Sequence, residues 1–211
     1  MKYLRLYIYS FCTLMTLGVS AHPISYKGSM GIMTYQSPSL THTQLNYSFR
    51  HWLAAGVHHI AIPNQKKSAT FASVNLLLKR WNGSGLQANL YTILGAGQSH
   101  LGESRETSGL TGLQFDIEDR DYYFLAKQTQ IFHKKGIDLK QTIVRTGFSP
   151  YVDPFDGLHS WLILEWKQTN LLNKVTRSDL TPFVRLFYRN LLFELGQSFK
   201  GDTKVNLIVH L

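Results

Sequence analysis

The sequence predicts an all-β fold, an antiparallel transmembrane β-barrel of about twelve strands, with ten strands as the alternative. Three features support this prediction. About twelve segments of roughly ten residues alternate between apolar and polar side chains, polar turns separate them, and tryptophan, tyrosine and phenylalanine residues collect near their ends. Such alternation suits a wall with lipid on one side and a polar lumen on the other.

The first 21 residues have the features of a secretory signal peptide. Lys2 and Arg5 form a basic start, an apolar stretch follows, and Val19-Ser20-Ala21 supplies a small-residue cleavage site. The apolar stretch is too short and too interrupted by polar residues for a membrane helix, which needs about 20 predominantly apolar residues. We therefore expect cleavage before His22.

Cleavage would leave a short N-terminal segment at 22–28, followed by a single barrel domain at 29–211. The only cysteine, Cys12, lies in the signal peptide. The exported chain would then have no disulfide, no thiolate nucleophile and no thiolate metal ligand.

The net charge indicates which partners suit the chain. Removal of Lys2 and Arg5 leaves 20 basic residues against 13 acidic ones, a net charge of about +7. The basic residues are scattered between strands, and no nucleic-acid recognition motif is present, so nucleic acid is excluded as a partner. The charge favours contact with outer-membrane lipid and with the phosphates of lipopolysaccharide.

The strand predictions follow from the alternation. They cover residues 29–36, 42–50, 54–62, 70–81, 86–97, 110–118, 122–132, 138–148, 160–169, 180–189, 191–199 and 204–211. An even number of strands returns both ends of the chain to the same side of the membrane, the periplasm.

The last hairpins allow the register to be predicted. A turn at 189–190 places Arg185 opposite Glu194 on the inner face, with apolar residues facing outward. A slip of one residue would move Arg185 into hydrocarbon, at a cost of about 2–4 kcal/mol near the bilayer midplane. A connection at 201–203 would pair Phe193 with Leu211, and one at 82–85 would pair Leu78 with Ala88.

The connections differ in predicted length. Those at 51–53, 82–85, 119–121 and 189–190 are short, whereas 98–109 and 170–179 are long and would face outside. The connection at 149–159 does not fit this scheme, because it is long but would lie on the periplasmic side.

The final strand carries the first resemblance to a known class. One face consists of apolar residues, Val205, Leu207, Val209 and Leu211. This strand resembles the terminal assembly signal of Gram-negative outer-membrane β-barrel proteins, which more often ends in Phe. The resemblance implies location in the outer membrane and recognition by the barrel-assembly machinery.

The start of the exported chain carries a second resemblance. The segment His22-Pro-Ile-Ser-Tyr-Lys-Gly28 resembles the beginning of a group of uncharacterised exported bacterial proteins. That resemblance implies no activity.

Seven charged residues are predicted to face the lumen: Lys79, Asp116, Glu118, Glu165, Lys167, Arg185 and Glu194. Two interpretations remain open: a salt-bridged lining that stabilises the wall, or a constriction that filters solutes by charge. The mixed signs argue against strong selectivity. We expect a narrow pore, a transport-related protein or a structural envelope component.

Two other functions are alternatives. The free amine and imidazole of His22 could chelate copper after cleavage, with Met30 and Met33 nearby, in an arrangement that resembles the N-terminal histidine of several periplasmic copper-binding proteins. Copper is the one cofactor that the sequence suggests. The third alternative is an outer-membrane lipid-modifying enzyme, but Ser99-His100 on a glycine-rich segment is weak evidence for a nucleophile and base. We assign no catalytic residue and expect no enzyme.

Overall fold

Twelve antiparallel strands close into one barrel in the part of the chain that the computed structural model describes. The described residues are 22–102, 104–134, 136–150, 157–172 and 174–211, and the side chains of 174–176 are not described. The signal-peptide prediction lies outside these residues. The described part of the chain contains no helix with the length and apolar character of a membrane span.

The strands are β1 Met30–Gln36, β2 Thr41–Arg50, β3 Leu53–Ile62, β4 Lys67–Asn82, β5 Gln87–His100, β6 Glu106–Glu118, β7 Tyr122–His133, β8 Gly136–Phe148, β9 His159–Leu171, β10 Lys174–Tyr188, β11 Leu191–Gln197 and β12 Thr203–His210. Each strand pairs with its neighbours in the chain, and β1 pairs with β12. This closure confirms the predicted fold.

The barrel has two distinguishable ends. The terminal end, as we call it, is the one at which β1 begins and β12 ends. There the backbone amide of Met30 donates to the carbonyl of Leu211 at 2.8 Å, and the amide of Leu211 donates to the carbonyl of Met30 at 2.7 Å. The opposite end is called the distal end.

The polarity of the wall is inverted relative to a water-soluble protein. Leu94, Leu113 and Leu195 are about half exposed on the outer surface, whereas Asn75, Asn89 and other polar residues are buried in the lumen. A continuous exposed apolar surface needs an apolar surrounding, and the bilayer provides one.

The register of the β10–β11 hairpin confirms the prediction, since Arg185 lies opposite Glu194. The prediction for β11–β12 was wrong: Phe193 pairs with Leu207, not with Leu211. The turn begins earlier than expected, at Ser198, whose amide donates to the carbonyl of Asp202 at 2.8 Å. Because the error is an even number of residues, each side chain keeps the predicted face.

The predicted β4–β5 register was also wrong. Trp81, not Leu78, lies opposite Ala88, because the turn lies later in the chain than expected and a bulge between Leu77 and Lys79 adds one residue to β4. A bulge reverses the face of the residues that follow it. Lys79 consequently lies opposite Leu90 on the outer face.

The two long connections predicted at 98–109 and 170–179 are replaced largely by strand. Strand β5 continues to His100 and β6 begins at Glu106, while β9 continues to Leu171 and β10 begins at Lys174. Their polar residues form ladder pairs, such as Ser99 with Glu106, and line the lumen instead of forming loops. Of the 149–159 connection, residues 151–156 lie outside the described residues.

Candidate functional site: the lumen

A buried network of charges crosses the lumen side of five strands, β8 to β12. Glu194 on β11 accepts hydrogen bonds from Arg145 Nη2 at 2.7 Å, Arg185 Nε at 2.6 Å and Asn206 Nδ2 at 2.6 Å. Arg145 also forms an ion pair with Glu165. These donors compensate the cost of burying the Glu194 carboxylate, which would be high for an unpaired charge.

Glu165 links this network to the last strand. Its Oε2 lies 3.2 Å from Arg145 Nε, and its Oε1 lies 3.4 Å from Lys204 Nζ. We call the residues Arg145, Glu165, Arg185, Glu194 and Lys204 the charged wall.

The predicted lumen residues separate into three groups. Glu165, Arg185 and Glu194 belong to the charged wall, and Lys167 faces the same cavity. Asp116 and Glu118 lie elsewhere, at the terminal end of β6. Lys79 does not face the lumen, because the bulge in β4 turns it outward.

Sequence reasoning missed Arg145, Lys127 and Lys204. Strand β8 has apolar residues on both faces, so its alternation does not single out Arg145. Arg145 lies directly opposite Glu165 in the β8–β9 pair, and this pairing would have identified Arg145 as a lumen residue. Lys204 shares a face with Asn206, and the alternation of β12 alone was sufficient to place it in the lumen.

Two lysines of the lumen form no salt bridge among the described residues. Lys127 on β7 and Lys167 on β9 line the same cavity as Arg145 and Arg185. The cavity encloses about 840 Å³ of empty space, part of which is open to solvent.

The opposite side of the lumen carries amides. Asn75 Nδ2 on β4 donates to Asn46 Oδ1 on β2 at 2.8 Å. The Asn46 side chain crosses Gly56 of the intervening strand β3, where an added Cβ would collide with Asn46 Oδ1. A side chain at position 56 is therefore incompatible with this bond. We call Gln44, Asn46 and Asn75 the amide wall.

The N-terminal segment at 22–28 lies inside the terminal end of the barrel. Ile24 packs against Ala54 and Tyr91, and the backbone amide of Ser25 donates to Ser48 Oγ at 3.1 Å. Pro23 contributes to the lining of the central cavity. The segment therefore narrows the lumen.

His22 holds this segment to β6. Its Nδ1 lies 3.4 Å from Asp116 Oδ2, and its Nε2 lies 3.4 Å from Glu118 Oε1. Burial alone would lower the pKa of His22, but the contacts and charges of Asp116 and Glu118 outweigh burial and raise it to about 10. Copper binding by His22 stays a prediction.

The segment proposed for enzymatic chemistry does not form a nucleophile pair. Ser99 is buried and hydrogen bonds with Ser108 Oγ at 2.7 Å and with Asp138 Oδ2 at 3.2 Å. His100, its neighbour in the chain, is exposed on the other face of the strand. His133 is the histidine beside Asp138, and its two ring nitrogens face Asp138 and Glu106.

No family model matches the chain, and the search of curated proteins finds no match. The solved structures similar to it include the KdgM porin, at 15% identity and a TM-score of 0.50, over 86% of this chain and 97% of that chain. A KdgM porin in complex with disordered oligogalacturonate has 14% identity and a TM-score of 0.49, with the same coverage of both chains. OpdK of Pseudomonas aeruginosa with vanillate has 11% identity and a TM-score of 0.40, and the match covers 82% of this chain and 56% of that chain.

At 15% identity the likeness to the KdgM porin concerns the fold. The closed twelve-strand barrel, the apolar exterior and the polar lumen define a small outer-membrane β-barrel protein of a Gram-negative bacterium. Its fold is similar to that of the KdgM porin.

Proposed function

We propose that this protein is a narrow outer-membrane channel for small anionic solutes. The observation that carries the proposal is the excess of basic side chains around the central cavity. Five basic residues face two carboxylates there: Lys127, Arg145, Lys167, Arg185 and Lys204 against Glu165 and Glu194.

The distribution of these charges supports anion selectivity. Glu165 and Glu194 are engaged by Arg145, Arg185 and Lys204, so neither carboxylate is available to attract a cation. The ammonium groups of Lys127 and Lys167 form no salt bridge among the described residues and face the cavity. In a narrow lumen with low-dielectric walls, fixed charges of one sign raise the local concentration of the opposite ion.

The size of the cavity restricts the solute. Only about 70 Å³ of it is open to the centre of a water-sized molecule, so the cavity is narrow. The N-terminal segment takes up part of the lumen at the terminal end. We therefore expect the channel to transport small organic acids or inorganic anions and to exclude large polymers.

Uptake into proteoliposomes tests this proposal. The folded protein is reconstituted, and entry of a small monocarboxylate is compared with entry of a neutral sugar of similar size. We expect both to enter faster than into protein-free vesicles and the carboxylate to enter faster than the sugar. Equal rates for the two solutes, or no uptake above the protein-free rate, would overturn the proposal.

A further inference from the structure

Two histidines face each other on the lumen side of β2 and β3. His42 Nε2 and His58 Nδ1 are 3.0 Å apart, and both side chains are buried. Their rings are tilted by 31° with centroids 5.3 Å apart. His58 Nε2 has no hydrogen-bond partner among the described residues. Two imidazole nitrogens are thus close together on the lumen side, and the anion channel proposed above does not use them.

Met33, which carries a thioether, lines the same cavity as His42. Met33 on β1 and His58 on β3 both lie opposite Gln44 of β2, one on each side. The sulfur of Met33 is 2.6 Å from Gln44 Nε2 and 3.7 Å from the hydroxyl of Tyr35, whose ring lies 6.0 Å from the His42 ring. We call Met33, His42 and His58 the soft-donor patch.

The donor set indicates the class of ligand. Among the described residues, no carboxylate forms a hydrogen bond or an ion pair with the soft-donor patch. Hard cations such as Mg²⁺ and Ca²⁺ need oxygen ligands, whereas imidazole and thioether suit Cu(I). A patch of two imidazoles and one thioether therefore selects a soft ion.

The charge around the patch favours a monovalent ion. Lys127 lies close enough to act electrostatically on both His42 and His58, and Lys167 acts on His42. These ammonium groups repel a divalent cation about twice as strongly as a monovalent one, because the Coulomb energy scales with charge.

We propose that Met33, His42 and His58 bind a soft monovalent cation, Cu(I) or its analogue Ag(I), inside the lumen. Metal–imidazole bonds are about 2.0–2.1 Å long, as in zinc sites, so a trigonal ion needs the two nitrogens about 3.5 Å apart. The present separation of 3.0 Å requires the rings to move apart by about 0.5 Å, and Met33 Sδ to turn from Gln44 Nε2 toward the two nitrogens.

This site is separate from the copper chelate predicted at His22, whose imidazole faces Asp116 and Glu118. Among the described residues, no group of three or more histidine, cysteine, aspartate or glutamate side chains is placed to hold a metal ion. The thioether of Met33 is accordingly essential to the proposal, and its replacement is part of the test.

The test is a titration of the folded protein with Ag(I) in chloride-free buffer, and with Cu(I) under reducing conditions in competition with a chromophoric chelator. We expect one ion per chain. His42→Gln and His58→Gln should each weaken binding tenfold or more, and Met33→Leu, which conserves volume, should weaken it severalfold. His59→Gln and Met30→Leu, on the outer face of the same strands, should leave it unchanged.

Folding of each variant is checked on a gel, on which a folded barrel migrates differently before and after heating. If a histidine variant does not fold, ¹⁵N NMR of the wild-type protein tests the site instead, because bound Ag(I) should shift the imidazole signals of His42 and His58. Absence of saturable binding, retention of binding in the folded His42→Gln/His58→Gln protein, or loss in His22→Gln alone would each overturn the proposal.

Discussion

The charged wall and the amide wall line the same lumen, but they are held in different ways. On the charged wall, Glu194 alone accepts bonds from residues on three other strands. On the amide wall, Asn46 and Asn75 share one hydrogen bond, while Asn46 Nδ2 and Asn75 Oδ1 have no further hydrogen-bond partner among the described residues. The fold is therefore held more strongly at the charged wall than at the amide wall. Lys127 and Lys167, on which the proposed selectivity rests, line the same cavity as Arg145 and Arg185 of the charged wall.

The largest expected effect comes from Glu194→Gln. The substitution preserves shape but leaves Arg145 and Arg185 without the carboxylate that they share, and breaking a buried ion pair costs about 3–5 kcal/mol. Urea-induced unfolding in lipid vesicles, followed by tryptophan fluorescence, measures the loss in the free energy of unfolding.

Asn75→Ala on the amide wall is the matched control for Glu194→Gln. It removes one neutral hydrogen bond, so we expect a loss of about 1 kcal/mol. Equal losses for the two variants would remove the energetic distinction between the walls.

Gly56→Ala tests the amide wall itself. An added Cβ would collide with Asn46 Oδ1 and come within 2.9 Å of the carbonyl oxygen of Leu45. Overpacking of this kind costs about 1–3 kcal/mol, less than the loss expected for Glu194→Gln. The same unfolding assay applies, with Gly83→Ala in the β4–β5 turn, where the nearest atoms are 3.7 Å from an added Cβ, as the control.

Lys127→Gln combined with Lys167→Gln separates selectivity from stability. Neither ammonium group has a salt bridge to lose among the described residues, so the fold should survive. Carboxylate uptake by proteoliposomes should fall severalfold, and sugar uptake should stay constant. Lys79→Gln on the outer face should change neither rate; a fall there as large as in the double variant would exclude the lumen as the origin of selectivity.

The smallest effect is expected at the N-terminal segment. Because the folded-state pKa of His22 is raised to about 10, its charge stabilises docking fully below its ordinary value of 6.5. That stabilisation declines as pH rises and is lost above about 10. Asp116, Glu118, Tyr91 and His210 are the titratable groups that face or act on it.

Channel conductance measured from pH 6 to pH 10 tests this dependence. We expect a modest rise as the segment loosens, and a conductance that is already high in His22→Gln at pH 6. A wild-type pH profile that is unchanged in the variant would show that His22 does not hold the segment.

The sequence allowed the architecture to be predicted because alternation reports the two faces of a wall. The two-residue turn before Leu191 left one pairing compatible with Arg185 opposite Glu194, so that register was correct. The alternation of side chains does not reveal a bulge, and for this reason Lys79 was wrongly predicted to face the lumen. It also does not show how barrel closure brings Arg145 to Glu194, 49 residues away in sequence.

In the function proposed here, the excess of basic side chains around the central cavity, above all Lys127 and Lys167, makes the lumen an anion-selective channel. The most direct test is the reversal potential of the folded protein in a planar bilayer that separates two concentrations of KCl. An anion-selective lumen should give discrete openings with a reversal potential displaced toward the equilibrium potential of chloride. A silent barrel, or a displacement toward the equilibrium potential of potassium, would contradict it.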